Sequence, residues 1–169
     1  MIKLLTIITV AALVSINSVY AQNQGMLPLV DAVKGINLSK PDNSTIGFVG
    51  SRCGTLYTAI AGYFAGNANK DSERKTASDF MEKAEIFSFV GIYVDSTVNK
   101  KTNEAIKAQG DALSKAYIDE MLAGKRLNNN VFTKLIESDV NFCVNQFPEY
   151  FSLYKTIQDG NKKNKKSPT

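Results

Sequence analysis

Two cysteines, Cys53 and Cys143, lie 90 positions apart, and each falls on an apolar stripe of helical period. No C-x-x-C spacing is present, so a thioredoxin-like redox pair or a thiolate metal site lacks its motif. If the two bond, they hold two distant segments side by side and exclude every fold that keeps them apart. Whether they bond depends on compartment, because disulfides persist where the surroundings are oxidising.

The first residues bear on that. Met1-Ile2-Lys3 gives a positive start, Leu4 to Val14 an apolar run, and Val19-Tyr20-Ala21 a small-residue cleavage signal before Gln22. A membrane anchor needs about 20 apolar residues, and Ser15, Asn17 and Ser18 interrupt the run before that length. The expectation is a cleaved signal peptide over residues 1–21 and a secreted or periplasmic mature chain without a transmembrane anchor. In that setting Cys53 and Cys143 read as a structural disulfide. Closing so long a loop contributes about 4 to 5 kcal/mol on the chain-entropy account.

The 169 residues suit one globular domain, and the pI near 9.0 invites a nucleic-acid reading. The source of the charge argues against it. Setting aside Lys3 and the tail lysines Lys162, Lys163, Lys165 and Lys166 leaves a body with one fewer basic than acidic residue. Its arginines, Arg52, Arg74 and Arg126, are too dispersed to make a phosphate-tracking face.

After an N-terminal segment, 22–43, in which Leu27 to Leu38 holds one short helix begun at Pro28, four stretches show helical periodicity within a bundle domain, 44–160. From Thr45 to Ala65, one side carries Val49, Cys53, Leu56, Ile60, Tyr63 and Phe64, and another carries the small residues Gly54, Thr58, Ala61 and Ala65. Such a helix belongs at the centre, with neighbours close on both flanks. The glycine spacing Gly50-x-x-x-Gly54 fits close packing, since the apolar run is too short to span a bilayer.

From Ser72 to Val98, Phe80, Ala84, Phe87, Gly91, Val94 and Val98 fall at helical steps, although Ile86 to Val94 alone could pass for a buried strand. From Thr102 to Ala123, Thr102 caps the start, Ile106, Gly110, Leu113, Tyr117 and Met121 face inward, and Gly124 closes the end. The last stretch places Phe132, Ile136, Val140, Cys143 and Phe147 on one face before Pro148, which should begin a separate short helix, Glu149 to Gln158. Residues 161–169 read as a disordered basic tail, either solvated or in weak contact with anionic lipid. The fold class is therefore all-α: an up-down bundle of four main helices plus a short C-terminal helix, stapled by one disulfide.

The chain has no histidine, which removes the histidine-dependent triads, the common zinc sites and the usual proton shuttle at neutral pH. Neither a metal nor a cofactor is expected. The carboxylate pairs Glu82/Glu85 and Asp119/Glu120 read as solvated helix faces, and no phosphate-binding glycine pattern is present.

Arg52 beside Cys53 is the strongest candidate site. With the cysteines joined, it emerges next to Asp139, one turn before Cys143, so a buried ion pair is expected. The alternative is an anion clamp formed by Arg52 and Tyr57. Phe147, Tyr150, Phe151 and Tyr154 either fill the open end of the bundle or form an aromatic patch for a partner.

The expected function is a non-enzymatic binding or interaction module of the bacterial envelope with an unknown protein partner. The alternative is a carrier holding a small apolar or anionic ligand near Arg52.

Overall fold

The computed structural model of the chain describes residues 26–66 and 70–165, with side chains to 162. The expected signal peptide lies outside these residues. Five helices follow in order: α1 (Leu29–Ala32), α2 (Asn43–Gly66), α3 (Asp71–Tyr93), α4 (Asn103–Asn128) and α5 (Lys134–Lys165). A single π-helical turn, Val94–Val98, extends α3. Among the described residues there is no strand, and the stretch Ile86 to Val94 is helical. The architecture is an all-α bundle carrying one disulfide, Cys53–Cys143.

Helix α2 is central and touches α3, α4 and α5, its most extensive interface being with α3. That seam runs antiparallel and is built from absent side chains. A Cβ on Gly50 would stand 2.8 Å from the Gly91 Cα, and one on Gly91 would stand 2.7 Å from the Ser51 backbone nitrogen. On either side, Cβ atoms on Gly47 and Gly54 would collide with Asp95 Oδ1 and Ser88 Oγ, both at 2.2 Å. At Gly50 and Gly91 the obstacle is backbone, which cannot rotate aside. Gly91→Ala is accordingly expected to lower stability by about 1 to 3 kcal/mol despite its gain in helix propensity, as chemical denaturation would show.

The larger side chains fill the space beyond the seam. Phe87 of α3 meets Tyr150 of α5 at 4.6 Å between ring centres and Tyr57 of α2 at 5.8 Å. Leu56, Ile60, Val90 and Ile136 complete a core from which solvent is excluded. Helix α5 lies antiparallel to α2, as the Cys53–Cys143 bond and the hydrogen bond from Tyr150 Oη to the Ile46 carbonyl at 2.6 Å require.

Three boundaries differ from expectation. Pro148 does not start a new helix: α5 is continuous from Lys134, so the short fifth helix of the bundle is α1 at the other end of the chain. Both Pro148 and Val144, whose carbonyl the missing N–H would have served, are exposed, and water can satisfy that carbonyl.

Gly124 lies inside α4, which runs on to Asn128 and is closed by left-handed Asn129 at φ 52°. The glycine instead admits the following loop, since a Cβ there would stand 2.5 Å from both the Asn130 carbonyl and Thr133 Cγ2. Residues 161–165 continue α5 rather than belonging to a disordered tail, with Lys162 pairing back to Asp159 at 3.6 Å. The expectation for residues 166–169 lies outside the described part. No helix among the described residues is long and apolar enough to cross a membrane.

Candidate functional site: a buried arginine, tyrosine and aspartate

Arg52 leaves α2 one residue before the disulfide, and Asp139 leaves α5 one turn before it, so the bond between Cys53 and Cys143 brings the two charges face to face. Arg52 Nη2 lies 2.8 Å from Asp139 Oδ2, and Arg52 Nε donates to the same oxygen at 3.2 Å. Helix α4 supplies the third member. Tyr117 Oη accepts from Arg52 Nε at 3.0 Å and donates to Asp139 Oδ2 at 2.5 Å. Arg52 is 3% exposed, Asp139 and Tyr117 not at all.

Two contacts from the N-terminal segment complete the network. The Leu29 N–H donates to Asp139 Oδ1 at 2.5 Å, and Arg52 Nη2 donates to the Leu27 carbonyl. One side-chain pair therefore joins α2, α4, α5 and the start of α1. Burial opposes the charge on Arg52, but Tyr117 and Asp139 outweigh it and hold the guanidinium above its ordinary value. It stays a cation.

Tyr57 is not part of this site. It lies five residues beyond Arg52, about 140° around the helix, and packs against Phe80 and Phe87 instead. Its fully buried hydroxyl has no hydrogen-bond partner. Of the aromatic residues near the end of α5, Tyr150 is buried, while Phe147, Phe151 and Tyr154 are half-buried. Phe147 lies against Phe87 and stacks on Phe151, and Tyr154 meets Phe89 edge-on at 5.2 Å. This run closes the bundle more than it presents a face.

Sequence reasoning missed a second buried acid. Asp95, at the π-helical turn, is fully buried and receives Lys101 Nζ at 2.9 Å and Asn99 Nδ2 at 2.8 Å. Asn99 Nδ2 also donates to the Asn43 carbonyl at 3.2 Å, tying the start of α2 to the end of α3. Asp95 falls four residues after Gly91, on the inward stripe, and an acid there signals a buried partner. No cluster of metal-ligating side chains occurs among the described residues.

Burial raises the pKa of three tyrosines. Tyr57 is pushed up to about 12, and Tyr117 and Tyr150 are raised further above the usual phenol value of 10.0. For Tyr117 the opposing effect of Arg52 does not cancel the desolvation. The fold thus retains protons that the unfolded chain releases near pH 10. Stability from these groups is complete below that pH and falls above it, by about 1.4 kcal/mol per pH unit for each group titrating only in the unfolded chain. Of the seven tyrosines, these three should develop phenolate absorbance only together with alkaline loss of helix.

Comparison with protein-family models, curated proteins and solved structures finds no match to this chain.

Proposed function

We propose that the chain is a non-enzymatic interaction module, exported to a secreted or periplasmic location, whose stapled bundle presents helix surfaces to a protein partner. The observation that carries this reading is the commitment of Arg52. An anion carrier needs a cation that its ligand can reach, whereas this guanidinium is buried against Asp139, Tyr117 and the Leu27 carbonyl. An incoming anion would have to displace an internal carboxylate.

The outer surface supports the same reading. Helix α4 buries only Tyr117, Met121 and Gly124, while Ile118 and Leu122, one turn apart, and Leu127 near its end are exposed. Exposed apolar side chains grouped on one helix are a common feature of contact surfaces.

The test is a photoreactive amino acid at position 122 of the exported chain, with position 156 on α5 as control. A single partner cross-linked from position 122 and not from 156, and lost in the Ile118→Asp variant, is the expected result. No cross-link, together with a small-molecule adduct retained in native mass spectrometry, would overturn the reading in favour of a carrier.

A further inference from the structure

The two outward contacts of the Arg52–Asp139 pair are to peptide backbone, not to side chains. Arg52 Nη2 donates to the carbonyl of Leu27, and Asp139 Oδ1 accepts the N–H of Leu29. A donor and an acceptor set to meet a C=O and an N–H two residues apart recognise an incoming chain by groups that nearly every peptide carries. Selectivity comes from two side chains four residues apart, Leu29 and Val33, which are 0% and 3% exposed.

The rest of this segment is weakly held. Leu27, Val30 and Ile36 are among its exposed large apolar side chains, 61%, 52% and 43% accessible. The tether that follows is exposed from Lys34 to Asn37 and again at Ser39, Lys40 and Asp42, and it contains Gly35 at φ +85° and Pro41. Between those exposed stretches Leu38 is half-buried against the core, and its packing is the apolar contact that re-routing the tether would give up.

We infer that the surface around Arg52, Tyr117 and Asp139 is a peptide-binding seat, filled in cis by residues 27–33, and that the same segment of a second copy fills it in trans. The occupant is argued from the fit itself: the segment that matches the seat is this chain's own. Reciprocal exchange would remake every contact seen in the monomer and place Leu27, Val30 and Ile36 between two bundles, covering side chains that one copy leaves in water. Exchange of a terminal element is a low-cost route to a dimer, because identical contacts are formed. The inference goes beyond the interaction reading and is independent of the α4 surface.

The experiment mixes heavy-isotope and ordinary preparations of the full chain, concentrates them, and reads native mass. Mixed dimers are expected, and an excess of a synthetic peptide spanning residues 26–38 should return them to monomers. The variant Leu29→Asp keeps Arg52, Tyr117 and Asp139 but loses the main anchor; it should stay monomeric and still bind the peptide.

Should that variant not fold, amide exchange of the unaltered chain decides. Separate opening of the segment requires the Leu29 amide to exchange at least ~10-fold faster than the amides around Cys143 in α5. Equal protection of the two regions would overturn the proposal. So would a chain monomeric at every concentration, or a dimer indifferent to the peptide.

Discussion

Asp139→Ala is expected to destabilise the chain by about 3 to 5 kcal/mol. The carboxylate serves three partners at once: Arg52 and Tyr117 through Oδ2, and the Leu29 N–H through Oδ1. Its removal leaves a buried cation without a counter-charge and two further donors without acceptors, and each orphaned group adds its own desolvation penalty. Asp139→Asn should recover only part of the loss, since it restores an acceptor but not the charge.

The discriminating comparison is the double variant Arg52→Met with Asp139→Leu. Replacing both charges with apolar groups of similar size is expected to cost less than either single change, because no buried charge is left isolated, although the Tyr117 hydroxyl and the Leu29 N–H still lose their acceptor. Urea unfolding of the four proteins measures the coupling. Additive single effects would show that the pair is not energetically linked.

Loss of the disulfide is the second large effect. Cys53→Ala with Cys143→Ala is expected to lower stability by about 4 to 5 kcal/mol on the chain-entropy account, or roughly 15 °C in melting temperature for a domain of this size. The sequence separation of 90 sets that figure. Both sulfurs are fully buried, so reductant should act on the folded chain slowly and only through opening. Thermal melts with and without reductant, after incubation long enough for reduction to finish, give the comparison. An unchanged melting temperature would show that core packing alone holds α2 to α5.

These two effects are not equally legible in the sequence. The ion pair was legible because position is propagated along helices: if Cys53 and Cys143 join, the residue next to one and the residue a turn before the other must be neighbours. Tyr117 was legible only as a core residue, since nothing local to α4 says which rotation brings its hydroxyl to Arg52. The backbone contacts of Leu27 and Leu29 leave no mark in residue type at all.

Nearness in sequence does not put Tyr57 beside Arg52, because five residues along a helix turn the side chain about 140° around its axis. Pro148 and Gly124 misled for a related reason. Both residues carry local preferences for helix ends, and in each case the surroundings prevailed: an exposed carbonyl that water can reach, and a loop needing room beside the helix axis. Asp95 could have been noticed as an acid on an inward stripe, but its partner Lys101 lies beyond a helical irregularity that shifts the register.

The glycine seam between α2 and α3 also sets an order of events as the chain folds. Gly50 and Gly91 are joined through a short connection and a local antiparallel pairing, so the chain need close only a modest loop to form this interface. The Cys53–Cys143 contact must wait for a much larger closure. A helical hairpin is therefore expected to form first and to serve as the template on which α4 and α5 assemble. Substitution at Gly91 should then slow folding, whereas substitution at Asp139 should mainly hasten unfolding. Oxidation comes late in this sequence, locking an arrangement that packing has already selected.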